Sequence, residues 1–239
     1  MDKVYGYHDL VEIIKKLRGE NGCPWDREQT HQSLIACLLE ESYELVEALE
    51  NDDKELMKEE LGDVLLQVMM HAQIADEKGD FNIDDVVSGI ANKLVYRHPH
   101  VFKVGQELTT AEEVKESWEQ IKQKEKKEET VTDGLERVAK TLPALMRTQK
   151  VQKKVIKAGY DQKDEVGEVD RLIEQLESLK LLFLQKSDID FEQEIGEILF
   201  GVVKLSAFFD INAEFALTKS LEKFINRFRY IENSTFTRG

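Results

Sequence analysis

Cysteine is nearly absent from this chain. Cys23 and Cys37 are the two in 239 residues, they form no CxxC pair, and neither a disulfide scaffold nor a zinc ribbon is available to them. A reducing compartment suits such a sequence. Proline is equally scarce, at 3 residues, so long stretches of backbone have no enforced break. No apolar run approaches the 18 or so residues of a membrane-spanning helix; the run Val64 to Met70 is interrupted by Gln67. The amino terminus MDKVYGYHDL has no signal-peptide apolar core, and a cytoplasmic protein that does not enter a membrane is expected. Positive charge is in deficit. Lys and Arg total 33 against 48 Asp and Glu, a net charge of −15, and that field repels nucleic-acid backbones. Nucleic-acid binding is therefore not expected.

The remaining composition, 34% charged and 41% apolar, suits one or two soluble, helix-rich domains. Leu10, Ile13, Ile14 and Leu17 mark an opening amphipathic helix that Gly19 ends, and Gly22 to Asp26 reads as a loop. A second helix is expected from about Thr30 to Leu49, its apolar face built from Leu34, Cys37, Leu38, Leu45 and Leu49. Asp52 or Asp53 caps a third, which reaches about Lys78 before Gly79 and points Leu61, Val64, Leu65 and Val68 inward. A fourth runs from about Asp84 to His98, where Pro99 stops it. Short connections make these an antiparallel bundle. Thr110-x-x-Glu113 is a capping box opening a further helix with Val114, Trp118 and Ile121 on one stripe. The mixed-charge stretch that follows, from Lys122, is placed as a solvated helix end or linker. Beyond it, Pro143 opens a helix to about Gly159, and helical periods cover about 169–184, 190–209 and 213–232.

Shifting the chain on itself by 134 residues pairs Leu38 with Leu172, Leu45 with Leu179, Leu61 with Ile195, Gly62 with Gly196 and Val64 with Ile198, without a gap. A constant offset through two helices and their turn indicates an internal duplication. The acidic positions differ between the copies. Glu41, Glu44, Glu60 and Asp63 correspond to Gln175, Ser178, Glu194 and Glu197, so the second copy lacks two of four carboxylates. Glu174 and Glu177 reproduce the ExxE spacing only with a rotation of about 100°, which aims them at solvent. Ile173, Leu176, Leu179, Ile195, Ile198 and Leu199 are expected to keep the second core.

Glu41 and Glu44 are three apart, as are Glu60 and Asp63, so each pair projects from one side of its helix. An antiparallel hairpin gathers all four in one place, with Glu40 and Glu47 nearby. Two carboxylates about 5 Å apart repel by roughly 3 kcal/mol at an effective dielectric near 20. A divalent cation relieves that repulsion, and oxygen-only ligands select Mg²⁺, with Mn²⁺ as a substitute. Lys93 and Arg97, one turn apart, are cations available to phosphate. Other chemistries fail on their motifs: a di-iron bundle needs two Glu-x-x-His motifs and only Glu28-x-x-His31 is present, and the one His-Asp pair, His8-Asp9, follows no earlier histidine. Cys37 lies on an apolar face and reads as a core residue.

Gly22-Cys23-Pro24-Trp25-Asp26-x-x-Gln29-Thr30-His31, then Glu40-Glu41-x-x-Glu44, Glu60-Leu-Gly-Asp63, and Lys93-x-x-x-Arg97-His98-Pro99-His100-Val101-Phe102 together resemble the MazG family of all-α nucleoside triphosphate pyrophosphohydrolases. The resemblance is strongest over 19–121, and Glu194-Ile-Gly-Glu197 with Lys223-x-x-x-Arg227 echoes it in the second copy. It implies an all-α fold of two tandem MazG-like helical-bundle repeats: 1–121 catalytic, 122–134 a charged linker, 135–239 a second repeat with a degenerate metal site. It also implies Mg²⁺-dependent hydrolysis of nucleoside triphosphates to monophosphate and pyrophosphate by a homodimer. Carried onto this sequence, it assigns Glu41, Glu44, Glu60 and Asp63 to the metal and Lys93 and Arg97 to phosphate. Glu40 is the candidate proton acceptor for an attacking water, and Trp25 a candidate for contact with the base as well as a packing residue. The competing expectation is a nucleotide-binding dimeric scaffold without turnover.

Overall fold

The computed structural model describes residues 3–103, 108–126, 129–161, 164–184 and 191–236. Among them every regular element is an α-helix, and the chain divides into two compact units, 1–122 and 123–239.

The first unit is built on an antiparallel hairpin of α3 (Ile35–Glu50) and α4 (Lys54–Asp76), which pack along each other. The turn between them places Asp52 at φ 53°, and Asp53 is the cap: its carboxylate accepts from the backbone N–H groups of Glu55 and Leu56. Helix α1 (Tyr7–Arg18) lies against α4 and buries Ile14 in a core with Leu34, Met69, Met70 and Ile74. Gly79, at φ 75°, then ends α4 in a conformation that side-chain-bearing residues resist. Asn82 caps α5 (Ile83–Arg97), which contacts α4. Pro99 ends α5 as expected and starts a single further turn, α6 (Pro99–Phe102). The Thr110/Glu113 capping box opens α7 (Ala111–Lys126), which runs into the charged stretch placed as linker.

A short helix also stands where a loop was expected. α2 (Pro24–Glu28) starts at Pro24, whose missing N–H costs nothing in a first turn. Gly22 precedes it with its α-carbon so close to the Leu17 carbonyl that any side chain would collide.

In the second unit α8 (Val131–Glu136), α9 (Ala144–Lys157), α10 (Glu165–Leu184), α11 (Phe191–Phe208) and α12 (Ala213–Phe236) follow in order. α10 and α11 form the hairpin matching α3 and α4, with α9 against α11 and α12 against both α9 and α11. The expected start of α11 at Asp190, and residues 127–128 of the charged stretch, lie outside the described residues.

The apolar patterning overstated what one chain buries. Leu61, Leu65 and Val68 were expected to point inward, yet they are 52%, 42% and 38% exposed, and Leu49 is exposed too. In the second unit Ile173, Leu176, Ile195 and Leu199 are similarly open. The inward face of α4 instead carries Glu60, Gln67, Met70 and Ile74. Each hairpin has two apolar stripes, and the other helices of its unit cover only one.

Candidate functional site

The register of the α3–α4 hairpin brings Glu41, Glu60 and Asp63 together: one carboxylate oxygen of each lies within 4.8 Å of those of the other two. Glu60 is buried, and its Oε2 has no hydrogen-bond partner. Burial, and then the charges of Asp63, Glu44 and Glu60, push the Glu41 carboxyl above its usual range. Glu60 is raised by burial first and by Glu44 and Asp63 next. Three acids held against their own repulsion, one with an orphaned oxygen, fit a hard divalent cation, which supplies the missing charge and partner. Glu44, one turn along α3, is exposed and lies outside the three-oxygen group, but acts electrostatically on both Glu41 and Glu60. Glu40 is exposed and sits about 100° around α3 from Glu41.

The expected substrate residues are placed differently. Arg97 and Lys93 lie on α5 at the end remote from the Gly79 turn, as Glu60 and Asp63 lie at the end of α4 remote from it. Lys93 is exposed, whereas Arg97 is 8% exposed, with its guanidinium 5.7 Å from the centroid of the Trp118 ring. His98 meets the edge of the same ring. Trp25 is 59% exposed on α2. Its helix is anchored at the other end of α4: Arg18 donates to the carbonyl of Asp26 and to both carboxylate oxygens of Glu77. Glu77 follows Asp63 by fourteen residues, roughly 21 Å of helix, so a single chain does not bring Trp25 beside the acidic group.

The Gln29-Thr30-His31 motif has a structural role. Thr30 and Ser33 bond each other's backbone N–H groups through their hydroxyls, and Ser33 donates to Gln29 Oε1. His31 Nδ1 stands 2.9 Å from Nδ1 of His71 on α4 with the rings parallel, an N–H···N bond that pins the turn before α3. A cavity of about 300 Å³ between α1, α4 and the start of α5, lined in part by His8, Ile14, Met69 and Asp76, shares no residue with the acidic group. The carboxylates, being the chemically strained feature, mark the candidate site.

One residue of this region escaped the sequence reading. Gln67 stands one turn after Asp63, is 6% exposed, and its Oε1 has no partner. Its signal was the polar interruption of the run Val64 to Met70.

Residues 29–102 match the MazG nucleotide pyrophosphohydrolase domain, which spans α3, α4 and the acidic group. Over 226 residues the chain is 41% identical to the nucleoside triphosphate pyrophosphohydrolase/pyrophosphatase MazG of Thermotoga maritima, covering 95% of this chain and 85% of that protein. The chain belongs to the MazG family. It is likewise 38% identical over 234 residues to the nucleoside triphosphate pyrophosphohydrolase of Escherichia coli K12, covering 96% of this chain and 88% of that one. With YabN of Bacillus subtilis it shares 44% identity over 237 residues, 98% of this chain but 48% of that longer protein. In this MazG chain the matched domain ends at α6, and the second unit is covered by the alignments with these relatives.

Proposed function

We propose that this MazG protein hydrolyses nucleoside triphosphates to nucleoside monophosphate and pyrophosphate, using Mg²⁺ held in the first unit by Glu41, Glu60 and Asp63. The observation that carries this reading is the buried, partnerless Glu60 oxygen within a three-carboxylate group, in a chain of this family. When bound, the cation neutralises phosphate charge and lowers the pKa of water beside it. Mn²⁺ satisfies the same oxygen donors.

The chain's own residues supply orientation and proton transfer. Glu44 faces the group from one turn away and is exposed to solvent, which suits it to accept the proton of an attacking water; Glu40, the neighbour favoured from sequence, lies one turn before Glu44 on the same side of α3 and is exposed as well. Lys93 reaches from an exposed position on α5 toward phosphate oxygens, and Arg97, stacked on Trp118, presents a fixed guanidinium. Glu194 and Glu197 of the second unit lack two of the four acids, so that unit is structural in this reading.

The assembly we propose is a homodimer. Leu61, Leu65 and Val68 on α4, with Val87, Ile90 and Leu94 on α5, are exposed apolar residues at helical spacing that the described helices of the first unit leave uncovered. A second copy laying the same stripes against them completes a four-helix core, and is the route by which Trp25 of one protomer reaches the other's nucleotide.

Product analysis with Mg²⁺ and a panel of ribo- and deoxyribonucleoside triphosphates tests the reaction. Equimolar pyrophosphate and monophosphate are expected. Release of orthophosphate and diphosphate refutes the reading, and saturable nucleotide binding without any product favours the scaffold.

A further inference from the structure

Glu60, Asp63 and Gln67 occupy positions i, i+3 and i+7 of α4, one continuous face. The upper two acids of that face meet Glu41 of α3. Gln67 lies about 6 Å further along the axis, level with Cys37, which is one turn before Glu41 on α3. Met70, about one turn further along α4, belongs to the apolar core, and Leu66, beside Gln67 in sequence, packs against that core together with Cys37. The amide is thus held between a charged end that fits a cation with phosphates and an apolar end, and its Oε1 is buried without a partner. A buried amide oxygen left unpaired is destabilising unless something donates to it.

The second unit supplies an internal comparison. At the offset of 134 residues Gln67 corresponds to Gly201 of α11. Leu172 and Glu168 of α10 fill the space there: a Cβ on Gly201 would stand 2.7 Å from Leu172 Cδ2 and 3.3 Å from Glu168 Oε1. The hairpin that lost two acids has also lost the amide and closed over its place. The hairpin that keeps the acids keeps the amide, at a cost in stability.

We propose that Gln67 is a specificity-determining residue that contacts the nucleoside part of the substrate, its Oε1 accepting a hydrogen bond from a base N–H or a sugar hydroxyl. This deepens the proposed hydrolysis and rests on it. An acceptor oxygen repels phosphate oxygens, which excludes the anionic end of the ligand as its partner. The apolar flank formed by Cys37, Leu66 and Met70 suits the face of a base, and the amide then reads its edge.

The experiment compares the full-length wild type with Gln67→Met, which keeps the side-chain length, and Gln67→Asn, which keeps the amide but withdraws it. Substrates are the four ribonucleoside triphosphates, their 2′-deoxy forms, ribose 5′-triphosphate and inorganic tripolyphosphate. For Gln67→Met, kcat/KM on nucleotides is expected to fall about tenfold or more, about 1.4 kcal/mol, and the spread among bases to narrow. Calorimetric affinity for the nucleoside monophosphate should weaken by a similar factor while that for pyrophosphate with Mg²⁺ stays unchanged. Melting at or above the wild-type temperature is expected, since the orphaned oxygen is gone; if Gln67→Met does not fold, Gln67→Asn carries the same comparison. Loss confined to substrates with a base identifies the base as donor, loss shared by ribose 5′-triphosphate but not by deoxynucleotides identifies the 2′-hydroxyl, and loss shared by both but not by tripolyphosphate identifies the 3′-hydroxyl; all three support the proposal. Unchanged kcat/KM and monophosphate affinity overturn it, as does an equal loss with tripolyphosphate or pyrophosphate. A wild type that releases no pyrophosphate refutes the hydrolytic reading instead, and monophosphate affinity still decides the role of Gln67.

Discussion

Lys204 Nζ lies 3.1 Å from Glu168 Oε2 and 2.7 Å from Asp161 Oδ2, with the Lys204 and Glu168 side chains only 8% and 4% exposed. At the repeat offset these two residues occupy the places of Met70 and Leu34, which are core residues in the first unit. A buried ion pair has therefore taken the position of an apolar pair. Burial pulls the Lys204 ammonium down, but its hydrogen bonds to Asp161 and Glu168 outweigh that and hold it above the usual lysine range. Lys204→Met alone leaves the buried Glu168 with Arg171, 3.0 Å from its Oε2 and itself exposed, as its remaining cation, so the loss should fall below the roughly 3–5 kcal/mol of a fully orphaned buried charge. Lys204→Met with Glu168→Leu restores the apolar pair and is expected to recover most of that loss. Urea titration of the single and double variants checks it; a double variant as unstable as the single would show that the ion pair itself is required.

Arg18 fastens three segments at once: α1, which it ends, the turn after α2, and the end of α4 through Glu77. The guanidinium hydrogen bonds hold the Glu77 carboxyl below its usual range. A depressed acid contributes stability above the unfolded pKa, near 4.3, and that contribution is lost as pH falls through the lower folded value. Glu77→Gln should accordingly melt below the wild type at pH 7, and the two melting curves should converge below about pH 4. A difference that persists unchanged into acid would locate the effect elsewhere. Because Glu77 is 37% exposed on its side chain, solvent screening keeps the expected difference small.

Helix positions and the acidic group were legible in the sequence because capping residues and i, i+3 spacing are local signals. Asp53, Thr110 and Gly79 each act within a few residues of themselves. The exposure of Leu61, Leu65 and Val68 was not legible, since hydropathy marks a face as apolar without saying whether its cover comes from the same chain. Gln67 was visible as a break in an apolar run, but its burial depends on the register of α3 against α4. The same register separated Glu44 from the three closest acids, and the anchoring of α2 by Arg18 put Trp25 near the other end of α4. Those relationships are tertiary, and spacing along one helix does not encode them.

The acidic group makes a pH prediction with a definite sign. Glu41 and Glu60 are raised above their usual range by burial and mutual charge, so without metal the folded state binds protons more readily than the unfolded one. Their repulsion is relieved at low pH and destabilises increasingly as pH rises from the unfolded glutamate value through the raised folded ones. Mg²⁺ competes with those protons. The melting-temperature gain on adding Mg²⁺ should be large at pH 7.5 and shrink as pH falls through this window. Glu60→Gln should abolish the gain while melting at or above the metal-free wild type. A metal response that is independent of pH, or one surviving in Glu60→Gln, would remove Glu60 from the metal site.

The two hairpins can be set against each other directly. In the second, Glu194 is half-buried and Glu197 exposed, and Gln175 and Ser178 stand where the first unit has acids. Mg²⁺ gives up hydration water reluctantly, and two carboxylates offer little to replace it. Glu194→Ala with Glu197→Ala, made in the full-length chain, should therefore leave pyrophosphate release within a few-fold of wild type. Glu41→Ala with Glu60→Ala should reduce it by more than the roughly 10–100-fold that losing an outer-shell partner costs a metal site. Folding is not the obstacle in either case: each double variant removes charge, and in the first unit that charge is repulsive in the metal-free state. Far-UV circular dichroism and light scattering on both variants separate loss of chemistry from loss of fold or of assembly. Equal loss of hydrolysis in two folded variants of the same oligomeric state would mean that the second hairpin takes part in the reaction, and its reading as a structural copy would fall.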